Sequence, residues 1–253
     1  MEPRPVTLIT GASAGLGVEF ARQCVARGEE VVLVARRKDR LNTLAAEVGN
    51  AHVIAADLAV PGAATEILGE IKSRGLWVRT VINNAGFGLR GRFDELPLDR
   101  QLEMIDLNMR ALTDLSFVMI PEMVQRGGGS ILNVASTAAF QPGPKMAVYF
   151  ATKAFVLSFT EALHEEWKDG GIKVSALCPG PTRTEFGEVA GIGTLGSFDR
   201  LSMEAGPVVR AGLDGLERNR AIIIPGGTNK MGAWSTRFAP RSVVRKIAGS
   251  LKF

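Results

Sequence analysis

The sequence predicts an α/β fold, a doubly wound parallel sheet of about seven strands with helices on both faces. Three observations predict it. Short apolar runs rich in β-branched residues recur along the chain, helical patterns separate them, and a glycine-rich turn joins the first run directly to the first helix. The runs fall at 6–10, 31–35, 52–56, 78–83, 130–135, 173–178 and 221–224. They are apolar throughout instead of alternating, which is the pattern of strands buried on both faces. The helical stretches between them, 15–27, 38–48, 61–74, 98–126, 146–169 and 203–218, supply right-handed crossovers.

At 253 residues the chain can bury roughly 75% of its unfolded surface around one core. With no linker or repeat in view, residues 1–253 read as a single domain. Apolar residues at 46% and charged residues at 22% exclude disorder. Cys24 and Cys178 are far apart and form neither CxxC nor zinc spacing, and His52 and His164 stand in no metal-binding pattern, so no metal site is expected. No basic, apolar, small-residue leader precedes the first strand and no apolar run reaches the length of a membrane span. A cytoplasmic location follows as the expectation. The net charge of +4 is local: six Lys/Arg and no Asp/Glu lie between Asn229 and Phe253. A local excess without interleaved aromatics does not call for nucleic acid.

Two segments break the alternation. Residues 183–202 scatter Gly187, Gly191, Gly193 and Gly196 among Phe186, Ile192, Leu195 and Phe198, after the sixth strand and so over the ligand edge of such a sheet. This is a candidate lid. The basic tail, 228–253, carries Val243, Val244, Ile247 and Leu251 at helical spacing, flanked by Arg241, Arg245, Lys246 and Lys252. It reads as a terminal helix docked on the domain, the alternative being a membrane-surface or partner helix.

The turn reads Thr10-Gly11-Ala12-Ser13-Ala14-Gly15-Leu16-Gly17. Its glycines let backbone N–H groups and a helix N-terminus approach a pyrophosphate. Where a free ribose 2′-hydroxyl would require an acid after the second strand, the chain has Ala35-Arg36-Arg37. Two guanidiniums there suit a 2′-phosphate, so NADP(H) is expected over NAD(H), unless both arginines are merely solvated. Asp57 and Leu58 follow the third strand, where an adenine would lie. Asn83-Asn84-Ala85-Gly86 follows the fourth: the asparagines suggest a satisfied polar network, and Ala85 and Gly86 leave room for a ribose.

Tyr149, the only tyrosine, and Lys153 are four residues apart on one helix face. A nearby ammonium would lower the phenol's pKa and fit it for proton transfer to a carbonyl oxygen that receives hydride. Ser136, just past the fifth strand, could bind the same oxygen or simply shape a turn. Asn108 lies inside a long predicted helix, where its amide could distort the helix and hold a water, or face solvent.

Taken together, TGxxxGxG, NNAG, Asn108, Ser136, YxxxK and a Pro-Gly turn, in this order from about Val6 to Gly226, resemble the short-chain dehydrogenase/reductase family in its NADP-preferring form. The resemblance implies a Rossmann-like sheet and a tetrad in which Tyr149 exchanges the proton. Lys153 lowers the tyrosine's pKa and holds the nicotinamide ribose, Ser136 orients the substrate oxygen, and Asn108 holds a relay water. It also assigns Pro179, Gly180, Thr182 and Thr184 to the nicotinamide carboxamide. Ser136, Phe140, Met146, Phe186 and Ile192 would meet an apolar ketone or aldehyde, reduced in the cell. Relatives pair as dimers or tetramers through the helices here at 98–126 and 146–169, so a homo-oligomer is expected.

Two other readings compete with this one. Gly11-Ala12-Ser13-Ala14-Gly15 also spells GxSxG, the nucleophile elbow of serine hydrolases, but only ten residues precede it, too few for the strands that carry an oxyanion loop. A dinucleotide sensor without turnover would tolerate loss of Tyr149 or Lys153, and neither is lost.

Overall fold

The computed structural model describes residues 2–191 and 202–250. Its seven strands are β1 (Arg4–Thr10), β2 (Val31–Ala35), β3 (Ala51–Ala55), β4 (Leu76–Asn83), β5 (Gly129–Val134), β6 (Ile172–Leu177) and β7 (Ile222–Ile223). They form one parallel sheet in the order β3-β2-β1-β4-β5-β6-β7. Side chains alternate along a strand, and β1 shows the consequence. Leu8 joins Val32, Val34, Ile67 and Leu115 on one face, while its neighbour Ile9 joins Leu33, Phe20 and Val208 on the other. Burying a side chain of this size contributes about 1.5–3 kcal/mol, so helices must cover both faces.

The first face is covered by α3 (Ala63–Ser73) and α5 (Ala111–Gln125), the second by α1 (Gly15–Ala26) and α8 (Ala205–Glu217). Helix α2 (Lys38–Val48) seals Leu41 and Leu44 into the second layer, and the 21-residue α6 (Ala147–Trp167) lies against β5 and β6. Chain order reverses between β1 and β4, which opens a crevice at the carboxyl ends of the strands.

The stretch expected as one helix over 98–126 is α4 (Leu98–Ile105) and α5 joined by a π-helical turn at Asp106–Arg110. Asn108 sits buried in that turn, so of the two alternatives a distorted helix is found and a solvent-facing amide is not. The basic tail forms two helices, α9 (Gly227–Ser235) and α10 (Arg241–Ser250). The first was not anticipated, because GTNKMGAWS has no apolar period and buries only Ala233. The second docks through Val244 and Ala248, whereas Val243 and Ile247 face solvent. Of the candidate lid, Ile192, Gly193, Leu195, Gly196 and Phe198 lie outside the described residues, as does Leu251 of the tail. Among the described residues no helix is long and apolar enough to cross a membrane, and no cluster of residues could hold a metal ion.

Candidate active site

The glycine turn crosses from β1 to α1 with Gly11 at φ +64° and Gly15 at φ +54°, conformations that side chains disfavour. A Cβ on Gly11 would lie 2.9 Å from the Ala85 Cα, so the turn is pressed against the NNAG segment. Thr10 ties the two together. Its hydroxyl donates to the Ile82 carbonyl (3.3 Å) and accepts from the Asn84 and Ala85 N–H groups (3.0 Å each), while Asn84 Nδ2 donates to the Thr10 carbonyl at 2.9 Å. No side chain caps α1, so its first-turn N–H groups remain available to an anion in the cleft. Gly17 is a correction: it does not line the cleft. A Cβ there would fall 2.2 Å from the Gly11 carbonyl oxygen, so this glycine lets α1 pack on the turn.

A cleft of about 480 Å³ runs along the carboxyl edge of the sheet. It gathers Gly11, Ser13, Ala14, Gly15 and Leu16 of the turn, Arg36 and Arg37, Asp57 and Leu58, Asn84, Ala85 and Gly86. Ser136, Met146, Tyr149, Lys153, Pro179, Gly180, Thr182, Thr184 and Phe186 complete its lining, with Thr184 against the glycine turn, 3.2 Å from where a Gly15 Cβ would lie. Phe140 does not belong with them. Ser136 Oγ accepts from the Ala138 N–H (3.1 Å) and starts a 3₁₀ turn, Thr137–Phe140, that aims Ala138 at the cleft and packs Phe140 beside Leu112, Val156 and Leu157.

Tyr149 and Lys153 rise from the first two turns of α6 and are both buried. Burial pushes the Tyr149 phenol up to about 12, with its hydrogen bond to Ser136 pulling the other way. Burial brings the Lys153 ammonium down to about 8. Desolvation outweighs the depression of the phenol expected from Lys153. The ammonium donates to the Val134 carbonyl at 2.8 Å and lies 5.8 Å from the Tyr149 ring centre, and desolvation governs the phenol instead.

Asn108 lies behind the cleft and does not line it. Its Oδ1 accepts from the Phe87 N–H (3.1 Å), and Nδ2 donates to the Phe87 carbonyl and to Thr152 Oγ1, both at 3.0 Å. Both amide hydrogens are spent, and Oδ1 keeps one lone pair. Gly86 is the reason this group comes close: a Cβ there would fall 2.8 Å from Asn108 Oδ1 and 3.6 Å from Lys153 Nζ. Asn83 and Asn133 form a separate buried pair under the sheet (2.8 Å), extended to Thr160 (3.0 Å). That network is not fully satisfied as expected, because Asn83 Oδ1 has no protein partner.

At the basic end each arginine already faces an acid. Arg36 meets Glu103 at 3.0 Å and Asp57 at 3.9 Å. Arg37 donates to Ser13 Oγ at 3.1–3.2 Å and lies 3.6 Å from Glu185, which also binds Arg40 at 3.0 Å. Asp57 Oδ1 accepts from the Ala59 N–H, capping the chain after β3. Ser13 is thus a partner of Arg37.

The match to the short chain dehydrogenase family model spans residues 5–191, well over half the chain. The chain belongs to the short-chain dehydrogenases. They are oxidoreductases of alcohol and carbonyl groups that bind a nicotinamide dinucleotide. Among solved structures, a short-chain dehydrogenase from Sphingobium yanoikuyae in complex with NADPH is 34% identical, with a TM-score of 0.82 over 98% of this chain and 96% of that one. The bulky-bulky ketone specific alcohol dehydrogenase from Comamonas testosteroni is 30% identical, with a TM-score of 0.78 over 98% and 94%. The 3-ketoacyl-(acyl-carrier-protein) reductase from Brucella melitensis, complexed with NADH, is 26% identical, with a TM-score of 0.82 over 90% and 99%.

The residues fit such a cofactor: an uncapped helix N-terminus under the glycine turn, Arg36 and Arg37 beside it, and buried Tyr149 and Lys153 on the same cleft. Sequence reasoning missed Arg100, Glu103, Gln141 and Glu185. Arg100 stacks on Phe87, with its guanidinium 4.9 Å from the ring centre, and lines the cleft with Gln141 and Glu185. Nothing in their spacing marks them, since each looks like an ordinary exposed polar residue until the tertiary fold brings it to the cleft.

Proposed function

We propose that this short-chain dehydrogenase is an NADP(H)-dependent reductase of mainly apolar ketones or aldehydes. The observation that carries the reading is Tyr149, a phenol kept protonated by burial and hydrogen-bonded to Ser136, set in a wall of Phe87, Met146, Phe150 and Phe186. Phe186 lies 5.3 Å from the Tyr149 ring centre to centre. Such a surface favours an apolar substrate and a group that donates a proton.

When bound, the dinucleotide supplies hydride to the substrate's carbonyl carbon. Ser136 orients the carbonyl oxygen, and Tyr149 gives it the phenolic proton. The Lys153 ammonium offsets the phenolate that remains, which a buried site would otherwise penalise. Asn108 positions the Phe87 backbone and Thr152, the neighbour of Lys153, and its free lone pair can hold a relay water. Pro179, Gly180, Thr182 and Thr184 hold the carboxamide end, where the Pro179 carbonyl already accepts from the Thr137 N–H at 2.8 Å. Phe186, which opens α7 (Phe186–Val189), belongs to the lid and would lie over the substrate.

Arg36 and Arg37 support the phosphorylated cofactor, as does the NADPH-bound relative; the NADH-bound one makes the choice worth measuring. Exposed Leu98, Leu102 and Phe117 on α4 and α5 support a homodimer or homotetramer paired there. The test is NADPH consumption over a panel of ketones, aldehydes and diketones beside NADH, with Tyr149→Phe as the blank. Turnover of bulky ketones with NADPH is expected. Turnover confined to anionic substrates, or equal use of NADH, would overturn the reading.

A further inference from the structure

The surface made by α9 and α10 has no part in the chemistry above. Met231, Trp234 and Phe238 follow one another at intervals of three and four, with the turn after α9 continuing through Arg237 and Phe238, and they are 70%, 57% and 84% exposed. Val243 and Ile247, four apart on α10, are exposed as well, while Val244 and Ala248 anchor that helix to the domain. Lys230, Arg237, Arg241, Arg245 and Lys246 are interspersed with them along the two helices and the turn between, and among the described residues none of these five has an ion-pair partner. No acid interrupts the segment. Without the tail's six cations the rest of the chain has 24 Lys/Arg against 26 Asp/Glu, so the net positive charge of the protein resides in this C-terminal segment.

The other exposed apolar set, on α4 and α5, is interspersed with Asp99, Arg100, Glu103, Asp106, Arg110 and Asp114, the mixed charges that suit a protein partner. A second copy docking on α9 and α10 would bring like charges together. An anionic lipid surface satisfies both halves of the pattern: cations meet headgroups, and tryptophan and phenylalanine enter the boundary with the acyl chains. The position also bears on access. A Cβ on Gly249 would lie 3.8 Å from Pro144, within the segment whose Gln141 and Met146 line the cleft.

We propose that α9 and α10 form a reversible docking surface for anionic membranes, which sets the substrate end of the cleft beside the bilayer. The docking does not rest on the reductase reading and is tested without turnover.

The full chain is sedimented with phosphatidylcholine vesicles, alone or containing about 30% phosphatidylglycerol, at low and high salt. Binding only to the anionic vesicles, weakened by salt, is expected. Arg241→Glu/Arg245→Glu/Lys246→Glu is expected to lower the affinity at least roughly tenfold with an unchanged Tm. Trp234→Ser/Phe238→Ser should also weaken it. As a check free of folding concerns, brominated lipid in the anionic vesicles should quench the wild-type emission more than that of Trp234→Phe. Absence of binding, equal binding to neutral vesicles, or undiminished binding by the charge-reversed chain would overturn the proposal. So would a concentration-dependent dimer that the Trp234/Phe238 pair abolishes in a protein that ignores lipid, since the face would then be a contact between copies.

Discussion

Glu185 reaches across the mouth of the cleft to within 3.6 Å of Arg37, whose other side is held by Ser13. A cofactor carrying a 2′-phosphate must share Arg37 with that carboxylate. Both side chains are nearly half exposed, so the competition is modest. Glu185→Gln is expected to tighten NADPH binding about twofold to fivefold and leave NADH within error, as fluorescence titration would read. A weaker NADPH complex in the variant would mean that Glu185 positions Arg37 for the phosphate instead of competing for it.

Arg36 and Arg37 together test the phosphate itself. Their replacement by alanine removes two charge-assisted contacts and is expected to raise the NADPH Kd roughly a hundredfold or more, against a few-fold for NADH. Equal losses would show that the arginines serve only their pairs with Glu103 and Glu185.

How much of this was legible beforehand follows from the range of the interactions. The strand pattern and the glycine turn are local: β-branched runs and the positive φ of Gly11 and Gly15 are written in neighbouring residues, and the fold agreed with them. Tyr149 and Lys153 are four apart on one helix, so their shared face could be read as well. Glu185 and Glu103 could not, because they meet Arg37 and Arg36 from 148 and 67 positions away. Phe140 was misplaced because a 3₁₀ turn of four residues, set by the Ser136 cap, decides which side chain faces in. The phenol's environment was misjudged for a related reason. Spacing shows that Lys153 is near Tyr149, but only the fold shows that its ammonium donates a hydrogen bond to the Val134 carbonyl and that both groups are buried.

Gly88 went unread, and it shapes the substrate end. A Cβ there would lie 3.0 Å from Phe186, 3.2 Å from Tyr149 and 3.3 Å from Met146. Gly88→Val should therefore raise KM for bulky ketones about tenfold or more while small aldehydes change little, since a narrowed pocket rejects by size. A uniform loss across substrates would instead mean that Tyr149 itself has moved.

Tyr149→Phe deletes the proton donor and keeps the ring that packs on Phe150 and Phe186. Turnover should fall by about a factor of 10³ or more, with NADPH affinity within about twofold and Tm unchanged or raised. In the wild type the phenol stays protonated up to about 12, so it does not set the alkaline limb of reduction. Lys153, at about 8, does: reductase activity is expected to decline as pH rises through that value. A profile flat to pH 10 would remove the ammonium from the mechanism.

The same lysine makes a prediction about stability. Its ordinary pKa is 10.5 and burial lowers it to about 8 in the folded chain. Between those values the unfolded chain holds a proton that the folded one has released, so wild-type stability gains from rising pH across that window. Below pH 8 the cost of keeping a buried ammonium is present in full, on the order of 3 kcal/mol. Lys153→Met fills the same volume without the charge. At pH 7 the variant should melt higher by about 5 °C, an advantage that shrinks from pH 8 and is gone near 10.5, while turnover is lost. Calorimetry of both chains across that range decides it. A variant that melts lower at pH 7 would mean that the hydrogen bond to Val134 outweighs the desolvation, and that the lysine stabilises the fold it serves.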